Sequence, residues 1–238
     1  EAAYALARRF WPGPLTMILP KKDCVPMRTT GGLDTVGVRC PDHPVTLEII
    51  RRAGVPIAAP SGNTSGRPSP TTAQHMVEDM TGRIDGIVDG GSCGVGVEST
   101  ILDLTCEPPR LLRPGGITTE ELCSILGDII IDKAVISSVD KDAVVKAPGM
   151  KYRHYAPNAR VIALKGDDSA VVEFMSNELE KKSVGVICYT EDNLPRCDRV
   201  QILGSAKSKD EMARRLFTCL RAFDCMPEIQ TVYTRLPD

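Results

Sequence analysis

The run Val55-Pro56-Ile57-Ala58-Ala59-Pro60-Ser61-Gly62-Asn63-Thr64-Ser65-Gly66 sets an apolar stretch directly against a loop of small polar residues and glycine. That loop continues through Arg67-Pro68-Ser69-Pro70. A short apolar run closed by turn residues predicts a strand emptying into a loop. In an open α/β sheet, ligands bind at the carboxyl ends of strands. Gly62 and Gly66 permit close backbone approach, while Ser61, Asn63, Thr64 and Ser65 offer small donors, a composition that suits an anion such as phosphate. The same residues also fit a polar turn held by Asx and serine hydrogen bonds, and composition does not separate the two. The loop lacks the Gly-Lys-Ser/Thr ending of a Walker A motif.

Around this run the pattern alternates between strand and helix. LTMILP (15–20) and TVGVRC (35–40) predict strands, and Pro44 opens a helix to about Ala53 with proline at a first-turn position. Thr71 or Thr72 caps a helix running to about Met80. GIVDGG, STILDL and RLLRPG predict three more strands, and ITTEELCSILG a helix capped by Thr118 or Thr119. From Asp128 to Asn158 the pattern weakens, then gives APGMKYRHYAPNA, whose prolines and aromatics predict an ordered, docked linker rather than a spacer. Beyond it the alternation restarts. RVIALKG, SVGVICYT, RVQILG and TVYTRL predict strands, with helices over Ala170–Lys181 and Ser205–Cys225, which together describe a second, smaller α/β unit.

Four features besides the loop can carry chemistry. Arg39 ends an apolar strand, where a permanently charged guanidinium needs an internal carboxylate or an anionic ligand. Ser99 stands at the mouth of STILDL beside Glu98, which serves as a base or as an ion-paired carboxylate. Arg113 ends RLLRPG, so arginines and hydroxyls at strand ends describe a crevice for phosphate and carboxylate. Lys151, Tyr152, His154 and Tyr155 in the linker either cover a nucleotide or pack the linker down. Asp42 and His43 read as a turn and helix start, and His75 as a packing or surface residue. No Ser-His-Asp order and no nucleophile elbow is present, so no residue is assigned as general acid or base. Catalysis would rest on positioning and charge stabilisation by Arg39, Ser61, Asn63 and Arg113.

Composition narrows the classes. The 238 residues carry a formal charge of −2, with 42% apolar and 25% charged residues, which gives no global basic field for wrapping nucleic acid. No apolar run reaches the roughly 20 residues of a membrane helix, and Glu1 to Trp11 lacks the form of a signal peptide. The nine cysteines form no CxxC pair and have no histidine at zinc-finger spacing, so they read as small buried hydrophobes in a reducing, cytoplasmic setting.

FWPGPLT, TVGVRCPDHP, AAPSGNTSGRPSPT, GVESTILDL and LLRPG occur in the order seen in YrdC-type threonylcarbamoyl-AMP synthases, and PGMKYRHYAP resembles the linker of the long form. The resemblance implies an α/β chain with a YrdC-like twisted mixed sheet and flanking helices, plus a smaller Rossmann-like α/β domain. Its implied boundaries are 1–127 for the catalytic domain, 128–158 for a linker docking near the active site and 159–238 for the smaller domain. The implied reaction converts L-threonine, bicarbonate and ATP into threonylcarbamoyl-AMP and pyrophosphate for tRNA threonylcarbamoyladenosine modification. By motif, Thr35, Ser61, Asn63, Ser69, Arg113, Tyr155 and His154 are implied as ATP contacts. Arg39, the Ala59 backbone and Ser99 are implied as threonine contacts. Mg2+ is expected on the phosphates, with no protein side chain as its ligand. Implied partners are downstream tRNA threonylcarbamoyl-transfer proteins, with weak RNA binding as an additional expectation and no membrane.

The chain departs from the family pattern at its ends. The Lys-x-Arg element that grips the triphosphate is expected upstream of Glu1, and Lys21-Lys22 is not its replacement. The sequence therefore reads as a fragment at both ends, expected to be weak or inactive by itself. Two other readings share the fold: a carbamoyltransferase of hydrogenase maturation, and a double-stranded RNA- or nucleotide-binding module without turnover.

Overall fold

The computed structural model describes residues 1–64, 66–136 and 156–236. They fall into two compact units, Glu1–Ser61 with Glu98–Arg153, and Gly62–Val97 with His154–Asp238.

The first unit is built on a mixed five-stranded sheet of β1 (Leu15–Pro20), β2 (Thr35–Val38), β3 (Thr100–Asp103), β4 (Arg110–Arg113) and β5 (Ile130–Ile131), in the order β2-β1-β3-β4-β5. β1 runs antiparallel to β2 and parallel to β3, while β4 runs antiparallel to β3 and parallel to β5. Side chains alternate across a strand. Leu15, Met17, Leu102 and Leu111 accordingly join a core with Leu6 and Phe10 of α1 (Ala2–Phe10) and Leu122 of α4 (Thr119–Leu126). Thr118 starts α4 with a full capping box, accepting from the Glu121 N–H while the Glu121 carboxylate accepts from its own N–H. The other face carries Ile18, Ile101 and Leu112. Trp11 is fixed below the sheet by donating Nε1–H to the Leu15 carbonyl at 2.7 Å. Helix α2 (Pro44–Ala53) has proline in its first turn, with His43 at the N-cap position, and the short α5 (Lys133–Ile136) follows β5.

The second unit carries an all-parallel sheet, β6 (Arg160–Leu164), β7 (Val184–Tyr189), β8 (Val200–Gly204) and β9 (Thr231–Arg235), ordered β6-β9-β7-β8. All six residues of β7 are buried, as a parallel strand covered on both faces requires. Val186 and Cys188 pack with Val171, Met175 and Leu179 in and beside α6 (Asp168–Glu178), while Ile187 and Tyr189 pack with Phe217, Leu220 and Phe223 of α7 (Lys209–Asp224). This is the α/β architecture that the sequence pattern predicts. The two helices start at Asp168 and Lys209 because Asp167 and Ser208 supply the caps, which shifts both boundaries from the apolar periodicity. Helix α3 (Ala73–Met80) belongs to this unit and is capped by Thr72, whose hydroxyl accepts from the His75 N–H.

Two expected strands do not form. VPIAAP and GIVDGG carry no ladder, and their apolar side chains stand in solvent, with Val55 60%, Ile57 48% and Val88 68% exposed. A strand exists by exchanging backbone hydrogen bonds with a neighbour, and these runs have no neighbouring strand among the described residues. TVGVRC also ends early, at Val38, leaving Arg39 and Cys40 beyond the ladder. The cysteine expectation needs correcting too. Cys188 and Cys219 are buried, and burial pushes the Cys188 thiol up to about 11, yet Cys24, Cys93, Cys197 and Cys225 are exposed. No cysteine is in a disulfide.

Candidate active site

Strand register decides which residues of the first unit meet. Leu15 opposes Thr100, Thr16 opposes Ile101, and Ile101 opposes Arg113, so the start of β1, the entry to β3 and the end of β4 lie at one end of the sheet. β2 ends there as well, with Val38 opposite Met17, and Arg39 follows it into solvent. Among the described residues Arg39 makes no ion pair and is exposed. Thr35 lies at the other end of β2, opposite Pro20. At about 3.3 Å per residue it stands roughly 13 Å along the strand from Arg39, and the sheet does not bring the two together.

At the shared end, Arg113 Nε donates to the Ser99 carbonyl and Nη2 to Ser99 Oγ, both at 3.0 Å. Glu98 approaches Arg113 at 3.6 Å, which makes it the ion-paired carboxylate rather than a bare base. Ser99 Oγ also shares a 2.9 Å hydrogen bond with Thr16 Oγ1. Beneath it, buried Thr100 donates its hydroxyl to the Ile117 carbonyl at 2.7 Å and accepts from the Ile117 N–H at 2.9 Å. Gly115 lets the turn after β4 lie against this entry: a Cβ there would collide with the backbone of Glu98, Ser99 and Thr100. The result is a guanidinium held rigidly in plane at a hydroxyl-lined strand mouth, a preorganised donor set for oxyanions. Ala59 and Ser61 belong to the same unit and are exposed.

The polar loop continues in the second unit. Asn63 Nδ2 donates to the Thr64 carbonyl at 3.0 Å and to the Arg67 carbonyl at 3.1 Å, while its Oδ1 is buried with no hydrogen-bond partner among the described residues. Thr64 N–H donates to Asp79 Oδ2 at 3.2 Å. Ser69 is half-buried and hydrogen-bonded or otherwise engaged. Ala156 N–H reaches the Gly66 carbonyl at 3.2 Å. His154 and Tyr155, like Lys151 and Tyr152, lie outside the described residues.

Asp79 anchors this loop. It is fully buried and takes a two-pronged contact from Arg221, at 2.6 Å and 3.4 Å, plus Arg67 Nη1 at 2.7 Å. Burial alone would push its carboxyl up, but Arg221, the Thr64 N–H and Arg67 together hold it below the ordinary aspartate value. His75 accepts the Thr71 N–H at Nδ1, at 3.2 Å. Burial first, then the Arg221 charge, lowers its pKa and favours that neutral ring. The packing role expected of His75 is the one it has. Sequence reading missed Thr16 and the Asp79–Arg221 pair. The signal for Thr16 was a lone hydroxyl inside the apolar run LTMILP, whereas the pair joins positions 142 residues apart and has no local signature.

Fold and candidate site define an α/β class of protein whose hydroxyls and arginines gather at strand ends. Comparison with known proteins gives that class its name. Residues 1–115 match the Sua5/YciO/YrdC family, described as telomere recombination, and residues 117–238 match the family described as threonylcarbamoyl-AMP synthase, C-terminal domain. The chain is 50% identical over 230 residues to the threonylcarbamoyl-AMP synthase of Pyrococcus abyssi and 44% identical over 227 residues to that of Bacillus subtilis. Each alignment covers 94% of this chain but only 65% of the relative. A crystal structure of P. abyssi Sua5 complexed with L-threonine superposes with a TM-score of 0.88 at 47% identity, covering 98% of this chain and 68% of that one. The chain belongs to the threonylcarbamoyl-AMP synthase family.

Proposed function

We infer that this chain serves the synthesis of L-threonylcarbamoyladenylate. The amine of threonine takes up the carbon of bicarbonate with loss of water. An oxygen of the resulting carbamate then attacks the α-phosphorus of ATP, and pyrophosphate leaves. The observation that carries this reading is the Arg113–Ser99–Thr16 cluster, which fixes a guanidinium and a hydroxyl 3.0 Å apart at a strand mouth. A planar cation beside small hydroxyls suits the developing charge on carbamate and phosphate oxygens, where positioning and charge stabilisation are the means of catalysis. Arg39, exposed and at the same sheet end, is the partner for the threonine carboxylate, with Ser99 and the Ala59 backbone beside it in role. The bound threonine of P. abyssi Sua5 supports the choice of amino acid.

ATP contacts are assigned to Arg113, Ser61, Asn63 and Ser69, with Thr35 as a further one. Both amide protons of Asn63 are engaged by main-chain carbonyls and its Oδ1 is buried, so Asn63 serves the nucleotide by ordering the loop around it. Among the described residues no group of three or more His, Cys, Asp or Glu stands ready for a metal, and Glu98 is turned to Arg113. The hydroxyls and guanidinium fit a phosphate that carries its own ion. A magnesium ion on those phosphates would be held by phosphate oxygens and water and would neutralise charge there. No described helix is long and apolar enough to cross a membrane. Nine cysteines without a disulfide favour a cytoplasmic setting, in which the adenylate passes to tRNA-modifying proteins.

The test supplies the full-length protein with ATP, Mg2+, bicarbonate and threonine and measures pyrophosphate. Threonine-dependent release is expected, and release indifferent to threonine overturns the reading. Arg39→Ala is expected to raise the KM for threonine far more than that for ATP. An effect on ATP alone would reassign Arg39.

A further inference from the structure

Helix α7 has a face that its hydrophobic core does not use. Phe217, Leu220 and Phe223 turn to the parallel sheet, while Arg214, Thr218 and Arg221, spaced by four and three, turn to the segment 62–97 of the same unit. Arg214 Nε donates to the Gly94 carbonyl at 2.9 Å. The backbone at Gly96, with φ +79°, lies so close to Arg214 that no side chain fits there. Thr218 and Thr71 share a hydroxyl hydrogen bond of 2.9 Å. Arg221 donates Nε to the Pro68 carbonyl at 3.0 Å and forks onto Asp79, whose Oδ2 in turn holds the Thr64 N–H. Arg67 closes the network, touching Asp79 at 2.7 Å and approaching Asp224 at 3.6 Å. Asn63 adjoins Thr64 and Ser69 adjoins Pro68, the two points so held.

A buried fork is a costly device for mere attachment, because charges taken from water are repaid only with full hydrogen bonding. It does deliver a single geometry: one guanidinium fixes the loop at Pro68 directly and at Thr64 through Asp79. We propose that Arg221, with Asp79 as its relay, is a positioning residue that holds Asn63-Thr64 and Pro68-Ser69 in their nucleotide-binding arrangement. In this arrangement helix α7 serves the reaction by ordering the nucleotide loop of its own unit. The inference rests on the proposed synthase function for its assignment of that loop to ATP.

The experiment compares full-length wild type with Arg221→Met, Arg221→Lys and Arg67→Met, and with Arg199→Met as a control. Arg199 binds the carbonyls of Leu179, Lys181 and Val184 and has no described contact with the loop. Pyrophosphate release gives KM for ATP and for threonine, calorimetry with Mg-ATP gives binding without turnover, and hydrogen exchange reports on the Thr64 amide. Arg221→Met is expected to weaken ATP by about tenfold or more, since small misplacements of a positioning element cost up to two orders of magnitude. The threonine KM should stay within about twofold of wild type. Arg221→Lys should recover part of the loss, and Thr64 exchange should quicken in step with it. Should Arg221→Met fail to fold, Arg67→Met, at a half-exposed site, is expected to shift ATP in the same direction by a smaller factor. ATP binding unchanged in both variants overturns the proposal, as does an equal loss in Arg199→Met. If wild type shows no threonine-dependent release while Arg221→Met still weakens Mg-ATP binding, the synthase reading falls and the positioning role stands.

Discussion

Arg113 and Arg221 are two uses of one side chain: the first is loosely countered by a carboxylate and the second tightly. Arg113 is joined to Ser99 through neutral acceptors, with its carboxylate neighbour Glu98 at 3.6 Å. Arg221 is 2% exposed and is neutralised by Asp79 at 2.6 Å, with its remaining Nε on a carbonyl. Geometry is fixed equally well in both places. What differs is the counter-charge: Arg113 is oriented by neutral acceptors at 3.0 Å with its carboxylate farther off at 3.6 Å, whereas Arg221 is oriented by the carboxylate itself at 2.6 Å, which cancels more of what it orients. A site that must stabilise new negative charge needs the first arrangement, and a loop that must be held needs the second.

The comparison breaks most visibly under truncation. Asp79→Ala leaves Arg221 and half of Arg67 without their anion in a buried setting, and we expect a loss of about 3–5 kcal/mol in denaturant unfolding. Replacing both partners, as in Asp79→Leu with Arg221→Met, should cost less than Asp79→Ala alone, because no charge is then stranded. If the double variant is the less stable of the two, the pair contributes attraction beyond mutual neutralisation. Arg113→Met should invert the pattern. Its kcat/KM is expected to fall by about 10²–10³, while unfolding free energy drops by only about 1–2 kcal/mol for the hydrogen bonds to Ser99. Arg113→Lys keeps the charge but not the fork, and should recover little activity.

A gentler way to sharpen the contrast is acid. The Asp79 carboxyl is held below its unfolded value despite its burial, so it contributes stability above that value, about 3.9, and this is lost as pH falls through the folded pKa. Urea midpoints followed downward from pH 5 should therefore fall more steeply for wild type than for Asp79→Asn. Parallel slopes would mean that Asp79 titrates alike in the folded and unfolded chain.

How far the sequence carries depends on where the partners lie. LTMILP, STILDL, RLLR and VGVICY are legible because alternation or continuous burial is a property of the run itself, and each appears as a strand. The Thr72 and Thr118 caps are legible because the side chain and the N–H it serves are three residues apart. VPIAAP and GIVDGG have the same local character but no ladder, since pairing is supplied by another strand and not by the run. The site divides along the same line. Arg113 and Ser99 were visible as polar residues at strand ends, and the register then explains why they meet. Arg221 is one more charge on a helix with nothing local to single it out; its partner Asp79 sits on α3, and only the fold joins them.

Thr16 offers the finest test of that division, because it is a neighbour of Ser99 hidden in an apolar strand. Its hydroxyl is 2.9 Å from Ser99 Oγ, which already receives Arg113 Nη2 at 3.0 Å. With Arg113 donating, the Ser99 proton is free to point at Thr16, and a fixed hydroxyl direction follows. Thr16→Val keeps the shape of the strand and removes that direction. We expect a loss of about 1 kcal/mol, the worth of one ordinary hydrogen bond, which appears as a several-fold rise in the KM for threonine with the KM for ATP unchanged. A variant with wild-type threonine kinetics would show that Arg113 alone orients Ser99, and the strand mouth would then depend on one arginine rather than on a relay of three side chains.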